Sequence, residues 1–235
     1  DEYEMFIFIA NLHAITVPND PKELKKNTKD LIALYIACGL DPEKVTLFLQ
    51  SDIHEHAELG WMLTCHSYMG ELQRMTQYKD KVAKGEANLT AGLFTYPCLM
   101  AADILLYDAD YVPVGVDQKQ HVELTRDIAQ RFNNRYGDTF IVPEPVVTKV
   151  GAKIYSLTEP TKKMSKSEHD DKSTIYLLDD PKIARKKIMS AVTDSVGIIQ
   201  YDPVNQPGLA NLLTIQSALT EESIDSIVSQ YEGKG

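Results

Sequence analysis

The chain has 235 residues, of which 43% are hydrophobic and 25% are charged, and its formal net charge is -10. This length and composition are typical of an ordinary globular chain that buries one large core, or a domain with a smaller appendage. The acidic balance disfavours broad attraction to nucleic acid or to an anionic membrane, so any site for an anion must be local.

Strands and helices alternate in the first third of the chain. The nearly continuous apolar run from Glu4 to Ala10 is typical of a strand buried in a parallel sheet. A helix is predicted to begin with Asp20 as its cap, Pro21 at its first position and Glu23 two residues later, and to end at Gly39. The pattern then predicts a strand over 44–50, a helix over 55–68 and a short helix or turn over 69–75.

The alternation continues through the middle of the chain. The polar, lysine-rich segment 77–88 is predicted to be a surface connection, and an apolar helix over 95–107 follows it, opened by Tyr96 and Pro97. Next come a short strand over 108–115 and a long amphipathic helix over 118–136. This order favours an α/β fold with a doubly wound parallel sheet.

A different pattern begins at Pro143. The stretch from Pro143 to Lys172 is predicted to be irregular, and irregular stretches of that length are usually functional or disordered. Helices are predicted beyond it, at Asp180 and Pro181, over 209–219 and over 222–231. We expect a Rossmann-like catalytic domain over residues 1–172 and the start of a small helical domain over residues 173–235.

The cysteines and the lengths of the apolar runs indicate in which cellular compartment the protein is expected. Cys38, Cys65 and Cys98 lie far apart among apolar residues, which predicts buried, reduced thiols and favours the cytoplasm. No apolar run reaches the roughly 18 residues that cross a bilayer, so we expect no membrane partner.

A cluster of lysines and hydroxyls lies inside the irregular stretch, in the sequence TKKMSKS from Thr161 to Ser167. Ammonium and hydroxyl donors this close together suit a polyphosphate better than a single carboxylate, although composition alone also allows a solvated basic loop. The order of residues resembles the KMSKS motif of class I aminoacyl-tRNA synthetases. The resemblance implies catalytic roles for two lysines and contacts with ATP phosphates for all five motif residues: Lys163, Met164, Ser165, Lys166 and Ser167.

A second motif lies where the strand over 108–115 meets the following helix. Ligands of open α/β sheets bind at the carboxyl ends of strands, where Gly115 allows close approach to the backbone and Asp117 can accept from ribose hydroxyls. A plain turn capped by Asp117 is the alternative. The run from Pro113 to Phe132 resembles the GxDQxxH segment of tryptophanyl and tyrosyl synthetases, which implies that Gly115, Val116 and Asp117 contact the adenosine of ATP.

A third stretch, Thr95 to Gly115, resembles the bacterial tryptophanyl-tRNA synthetases specifically, and the likeness extends over essentially the whole chain. It implies that the chain activates L-tryptophan with ATP and Mg²⁺, transfers it to tRNA(Trp), and forms a homodimer. It further implies that Asp103 accepts a hydrogen bond from the indole N–H, with Met100 against the ring and Tyr96 and Gln118 near the amino group. Further ATP contacts are implied for Ile154, Lys79 and Lys81.

Two alternatives stay open at this point. A tyrosyl-tRNA synthetase would share the fold and the phosphate loop, and a catalytically silent paralogue would bind a nucleotide or an amino acid without reaction. The His-x-Gly-His type of motif that class I synthetases carry after their first strand does not occur in the sequence. We therefore expect the sequence to be part of a longer protein.

Other polar and aromatic residues receive structural interpretations. His54 and His56 are expected to be a surface pair rather than a metal site, and His121 to be structural. The run Arg185 to Lys187 is expected to form a solvated helix face. Trp61 is expected in the core or at a dimer interface.

Overall fold

The computed structural model describes residues 3–85, 89–147, 153–165 and 170–231. The chain divides into two compact units, residues 1–147 and residues 148–235. The functional boundary expected after residue 172 stays a prediction. Within the described ranges, no helix is both long and apolar enough to cross a membrane.

The first unit contains two pairs of parallel strands. β1 (Phe6–Ile9) pairs with β2 (Thr46–Leu49), and β3 (Tyr111–Val114) pairs with β4 (Glu144–Val147). The first three strands lie where the sequence predicts them. β4 lies in the stretch predicted to be irregular, so that prediction is wrong for these four residues. The sequence EPVV is short and contains a proline, which is uncommon inside strands, and this hides the strand signal.

Seven helices of the first unit are described. They are α1 (Asn11–Ala14), α2 (Pro21–Ala37), α3 (Glu55–Thr64), α4 (Met69–Gln73), α5 (Thr76–Ala83), α6 (Ala91–Leu105) and α7 (Lys119–Tyr136). The predicted start of α2 is confirmed, because the Asp20 side chain accepts from the backbone N–H groups of Lys22 and Glu23. The predicted end is confirmed as well, since Gly39 follows the helix with a φ of +98°, a value that favours glycine.

Two helix predictions in the middle of the chain need correction. The segment 77–88 is not a plain connection, because α5 occupies its first part; its residues 86–88 lie outside the described ranges. Tyr78 of α5 packs edge-on against Phe94, with 4.9 Å between ring centroids, and this tertiary contact accounts for a helix in so polar a sequence. The apolar helix α6 begins four residues earlier than predicted, since the Thr90 side chain caps it, and Pro97 lies inside it.

The core of the first unit forms where α3, α6 and α7 pack together. Its buried side chains include Leu63, Ala101, Ala102, Ile128 and Ala129. Gly60 brings α3 close to α6, because a Cβ at this position would lie 3.3 Å from Leu99 Cδ1. The same helix α6 carries three of the four tryptophan-site candidates, Tyr96, Met100 and Asp103, so the core fixes their positions.

The second unit contains α8 (Pro181–Met189), α9 (Pro207–Thr220) and α10 (Ile224–Gln230), in agreement with the predicted helices. Gly208, in the first turn of α9, lies directly against the backbone carbonyl of Val192, where a Cβ would come within 2.0 Å of the oxygen. The N–H of Val192 in turn donates to the carbonyl of Leu157. These contacts tie α9 to the segment that carries the lysine motif.

The prediction of three buried thiols holds for only one cysteine. Cys98 is buried in the core, whereas Cys38 and Cys65 are exposed. Both exposed residues are the C-terminal caps of helices, α2 and α3, where the chain leaves the packed face of the helix. Apolar neighbours in sequence therefore do not imply burial at these positions.

Candidate active site

Asp103 lies at the centre of a polar cluster inside the first unit. Its residue exposure is 5%, so it is not an exposed acid on the outer face of α6. Gln50 Nε2 donates to Oδ1 over 2.7 Å, and His56 Nδ1 lies 2.6 Å from the same oxygen. His13 Nε2 lies 2.6 Å from Oδ2. The carboxylate thus has partners from three other parts of the chain.

The cluster assembles where parallel strands end. His13 lies on α1, directly after β1, and Gln50 follows β2 immediately. The Gln50 amide is fixed at both ends, because its Oε1 accepts from the backbone N–H of Leu12 over 3.0 Å. Asn11 and Ser51 bond each other across the same two strand ends. Carboxyl ends of parallel strands are where α/β folds bind ligands, and the cluster follows that rule.

His56 is not the surface residue that its sequence neighbourhood predicts. The side chain is 0% exposed, and its Nε2 lies 2.8 Å from the Tyr107 hydroxyl, whereas His54 is exposed as expected. Helix α3 begins at Glu55, so alternate residues of DIHEHAE turn to different faces of the helix. The two histidines therefore do not form a pair.

Tyr96 and His121 form a second polar contact beside the cluster. The Tyr96 hydroxyl lies 2.7 Å from His121 Nε2, and the Tyr96 ring meets the His13 ring edge-on at 6.0 Å between centroids. Burial raises the pKa of the Tyr96 phenol to about 12, so it keeps its proton. Burial also lowers the pKa of His121, partly opposed by the charge of Asp117. His121 is 1% exposed and its Nδ1 has no hydrogen-bond partner, which fits a neutral imidazole.

The predicted adenosine site follows β3. Gly115, Val116 and Asp117 are exposed there, and Gln118 is partly buried. A Cβ at Gly115 would lie only 2.8 Å from Asp117 Oδ1, so a larger residue there would displace the Asp117 side chain. Gln118 Nε2 donates to Asp117 Oδ2 over 3.1 Å, which orients the carboxylate that the sequence assigns to ribose.

The lysine motif begins on a short hairpin of the second unit. Tyr155 and Lys163 form an antiparallel bridge, and the N–H of Met164 donates to the carbonyl of Ile154 over 2.9 Å. The structure therefore brings Ile154, Lys163, Met164 and Ser165 together. Lys166 and Ser167, the remaining motif residues, lie outside the described ranges.

Buried polar side chains fix both sides of the hairpin. Asn211 of α9 accepts from the N–H of Tyr155 and donates to its carbonyl, each over 2.8 Å. Thr174 Oγ1 donates to the carbonyl of Ser165 over 3.1 Å. Lys187 Nζ donates to the carbonyl of Thr174 over 2.9 Å. The backbone that presents Lys163 is thus held by the helices that follow it.

Lys187 is an anchor rather than part of a solvated face. Its residue exposure is 4%, and its ammonium lies 2.9 Å from Asp179 Oδ2 and 3.5 Å from Asp171 Oδ2. Burial acts to lower the pKa of Lys187, but the hydrogen bond that it donates to Asp179 and the charges of both aspartates raise it overall. The prediction of a solvated face stands for Arg185 and Lys186, which are exposed. A run of three basic residues does not reveal which one turns inward.

For the remaining candidate residues, the structure gives a position on a helix. Lys79 and Lys81 both lie on α5, and residues two apart on a helix do not face the same point. Met100 is partly buried on α6 and lies three residues before Asp103, so the two share a helix face. His13, Gln50 and His56 are site residues that the sequence reasoning missed. Two of them could have been found from the sequence, because His13 and Gln50 are polar residues that follow the apolar runs of β1 and β2.

Parallel strands that alternate with helices, together with a KMSKS sequence, are typical of the class I aminoacyl-tRNA synthetases. The family model described as "tRNA synthetases class I (W and Y)" matches residues 1–234. The chain belongs to this family.

Relatives within the family agree on the amino acid. A Tryptophan--tRNA ligase of Caldanaerobacter subterraneus is 59% identical over 235 residues, which are 100% of this chain and 72% of that protein. The tryptophanyl-tRNA synthetase of Mycoplasma pneumoniae superposes with a TM-score of 0.86 at 48% identity, covering 97% of this chain and 67% of that one.

A further solved relative carries ligands. The tryptophanyl-tRNA synthetase of Campylobacter jejuni, crystallised with ADP and tryptophan, has a TM-score of 0.77 at 42% identity, covering 97% of this chain and 69% of that one. These neighbours confirm the Rossmann-like α/β fold class that the sequence predicts.

Proposed function

We propose that the chain is the catalytic part of an enzyme that activates L-tryptophan with ATP and transfers it to tRNA(Trp) in protein biosynthesis. The observation that carries the amino-acid choice is the buried Asp103 carboxylate, held by donors at the ends of β1 and β2. An indole N–H is a donor without acceptor capacity, so a fixed acceptor selects tryptophan over phenylalanine. Relatives 57% to 59% identical are named tryptophan enzymes, which supports this choice over a tyrosyl enzyme.

The tryptophan site is proposed to lie along one face of α6. Asp103 accepts the indole N–H, and Met100 packs against the ring. Tyr96 lies four residues before Met100 on the same helix, where it reaches the ammonium group together with Gln118. The protonated phenol of Tyr96 can accept one hydrogen bond while it keeps its contact with His121.

Two groups of ATP-contacting residues are proposed from the resemblance, one in the turn after β3 and one in the lysine motif. Gly115, Val116 and Asp117 contact the adenosine, and Ile154 packs near the base. The motif from Lys163 to Ser167 contacts the phosphates, and the long side chains of Lys79 and Lys81 extend towards ATP from two different sides of α5. The exposed position of Lys163 on a hairpin held at its base supports this role, because its flexible stem is free to follow a moving phosphate.

In the proposed reaction, the tryptophan carboxylate attacks the α-phosphorus of ATP in line and pyrophosphate leaves. A hydroxyl of the terminal adenosine of the tRNA then attacks the acyl carbon of the resulting mixed anhydride, and AMP leaves. No covalent enzyme intermediate is needed, so the protein contributes positioning and the stabilisation of negative charge on the phosphates. Lys163 and Lys166 supply positive charge for that purpose.

Mg²⁺ is proposed to accompany ATP. Among the described residues, no group of three His, Cys, Asp or Glu side chains could hold a metal ion. Magnesium usually keeps phosphate oxygens and water as its main ligands, so it needs few ligands from the protein. Bound there, the ion neutralises phosphate charge alongside the lysines.

A homodimer is proposed from the resemblance and from the surface of α3 and α4. Trp61 is 70% exposed, and Met62, Tyr68 and Met69 are exposed close to it in sequence. Exposed aromatic and methionine side chains of this kind are enriched in protein interfaces. Of the two expected places for Trp61, its exposure excludes the core of the chain and supports the interface.

The test of the tryptophan assignment replaces Asp103 by alanine in the full-length protein. ATP–pyrophosphate exchange is measured with tryptophan and with an analogue methylated on the indole nitrogen. The parent is expected to prefer tryptophan, and Asp103→Ala to reduce that preference by about 5- to 150-fold, because the indole N–H loses its buried acceptor. An undiminished preference in Asp103→Ala would refute the assignment.

A further inference from the structure

His56 has two hydrogen-bond partners and no access to solvent. Its side chain is 0% exposed, with Nδ1 at 2.6 Å from Asp103 Oδ1 and Nε2 at 2.8 Å from the Tyr107 hydroxyl. A buried imidazole with both nitrogens paired has a single orientation, since rotation of the ring would break both contacts. His56 is therefore a rigid neighbour of the carboxylate.

The partners determine the direction of each hydrogen bond. A carboxylate can only accept, so Nδ1 of His56 carries the proton and donates to Asp103. With the proton on Nδ1, Nε2 is the nitrogen that can accept from the Tyr107 hydroxyl. Burial, followed by the charges of Asp103 and Glu55, raises the pKa of Tyr107, which keeps that hydroxyl protonated and able to donate. Tyr107 thereby fixes the tautomer of His56.

Gln50 donates a second hydrogen bond to the Asp103 oxygen that His56 contacts. Its Nε2 donates to Oδ1, and the orientation of its amide is set by the Leu12 N–H, which donates to Oε1. Two donors thus occupy Oδ1 from inside the protein. Oδ2 has His13 as its protein partner, and the His13 side chain is 21% exposed, so this is the oxygen that faces the accessible side of the cluster.

We infer that His56 is a positioning residue for substrate selection: with Gln50 it pins Oδ1 of Asp103 and so presents Oδ2 to the indole N–H of tryptophan. This inference rests on the proposed function, in which Asp103 is the indole acceptor. His56 itself does not touch the substrate. Without the His56 donor the carboxylate can rotate, and the acceptor is no longer held at a fixed place, which weakens selection more than it weakens general binding of an aromatic amino acid.

The experiment compares variants of His56 in the full-length protein. The ratio of kcat/KM for tryptophan to kcat/KM for the indole-N-methylated analogue is measured by ATP–pyrophosphate exchange. This ratio is independent of the fraction of active protein, so a loss of stability alone does not change it. His56→Leu is expected to lower the ratio by about tenfold, within the range for loss of one charge-assisted hydrogen bond.

Two polar replacements separate positioning from packing. The amide of His56→Asn can donate from the place of Nδ1 and is expected to retain most of the ratio. The amide of His56→Gln lies nearer the place of Nε2 and is expected to lose it. This pair decides the question if His56→Leu does not fold. His66→Leu serves as the matched control, because His66 also bonds a tyrosine hydroxyl, that of Tyr136, but on the surface.

Asp103→Ala, assayed in parallel, distinguishes the two possible failures. If Asp103→Ala loses the preference while His56→Leu and His56→Gln keep the parent ratio, the inference is overturned and the acceptor assignment stands. If Asp103→Ala itself keeps the parent ratio, both are overturned. We expect a lowered ratio of kcat/KM values in Asp103→Ala, His56→Leu and His56→Gln. We expect His56→Asn to retain most of the parent ratio.

Discussion

Lys163 differs from its neighbour Lys162 in what its side chain can reach. Lys162 pairs with Glu159, at 2.7 Å between Nζ and Oε2, whereas Lys163 bridges Tyr155 through its backbone and its side chain is exposed. The N–H of Lys162 donates to the carbonyl of Glu159, so Lys162 belongs to the turn that precedes the bridge. We therefore expect the phosphate role for Lys163 rather than for Lys162.

We expect Lys163→Ala to lower the rate of adenylate formation by about 100-fold, because its charge stabilises the phosphates mainly in the transition state. Tryptophan affinity is expected to change by less than about threefold. Single-turnover adenylate formation and equilibrium tryptophan binding measure the two effects. Lys162→Ala is the control and should retain the parent rate. Equal losses of rate and tryptophan affinity in Lys163→Ala would contradict the assignment.

Lys187 ties α8 to the segment that follows the lysine motif. The hydrogen bond from Lys187 is the main cause that lowers the pKa of Asp179, and the two aspartates raise the pKa of Lys187 against the effect of burial. A lowered carboxyl pKa contributes stability above its unfolded value, and that stability is lost as the pH falls through the folded value. A raised lysine pKa contributes stability that is lost only at strongly alkaline pH.

The stability of the second unit is therefore expected to fall as the pH drops below about 4, the ordinary range of aspartate. Lys187→Met should be less stable than the parent at neutral pH and should lose less on acidification, because Asp179 then lacks its ammonium partner. Urea unfolding followed from pH 7 to pH 3 measures this difference. Lys186→Met, at an exposed position, should follow the parent curve. Parallel pH profiles for the parent and Lys187→Met would contradict the prediction.

Element prediction succeeded where the local signal was strong. The cap at Asp20 and the apolar runs of β1 and β2 fixed those elements, because short-range chemistry determines them. Helix α5 and strand β4 were missed, since both depend on tertiary partners: the packing of Tyr78 on Phe94 for the helix, and pairing with β3 for the strand. The candidate site also divides into residues that the sequence predicts and residues that it does not. The motif residues were found by resemblance. The burial of His56 and Lys187 could not be predicted, because it depends on which side of a helix faces inward.

At the scale of the whole molecule, Trp61, Met62 and Met69 of α3 and α4 leave much of their apolar surface exposed within the part of the chain that the structure describes. Trp61→Asp is expected to weaken the proposed homodimer by about 30-fold or more, because a central tryptophan typically contributes about 2 kcal/mol or more to an interface. Sedimentation equilibrium over a range of concentrations measures the dissociation constant. Ile36→Asp, at an exposed position of α2, is the control. An unchanged dissociation constant in Trp61→Asp would place the interface elsewhere.

The contact between Gly208 and the Val192 carbonyl limits which residues can replace Gly208. Any side chain at position 208 would press its first carbon onto the carbonyl oxygen of Val192, whose N–H holds Leu157 at the base of the lysine hairpin. Even the mutation to alanine would thus displace backbone that supports the proposed catalytic lysine. A buried position without a reactive group is therefore expected to accept only glycine.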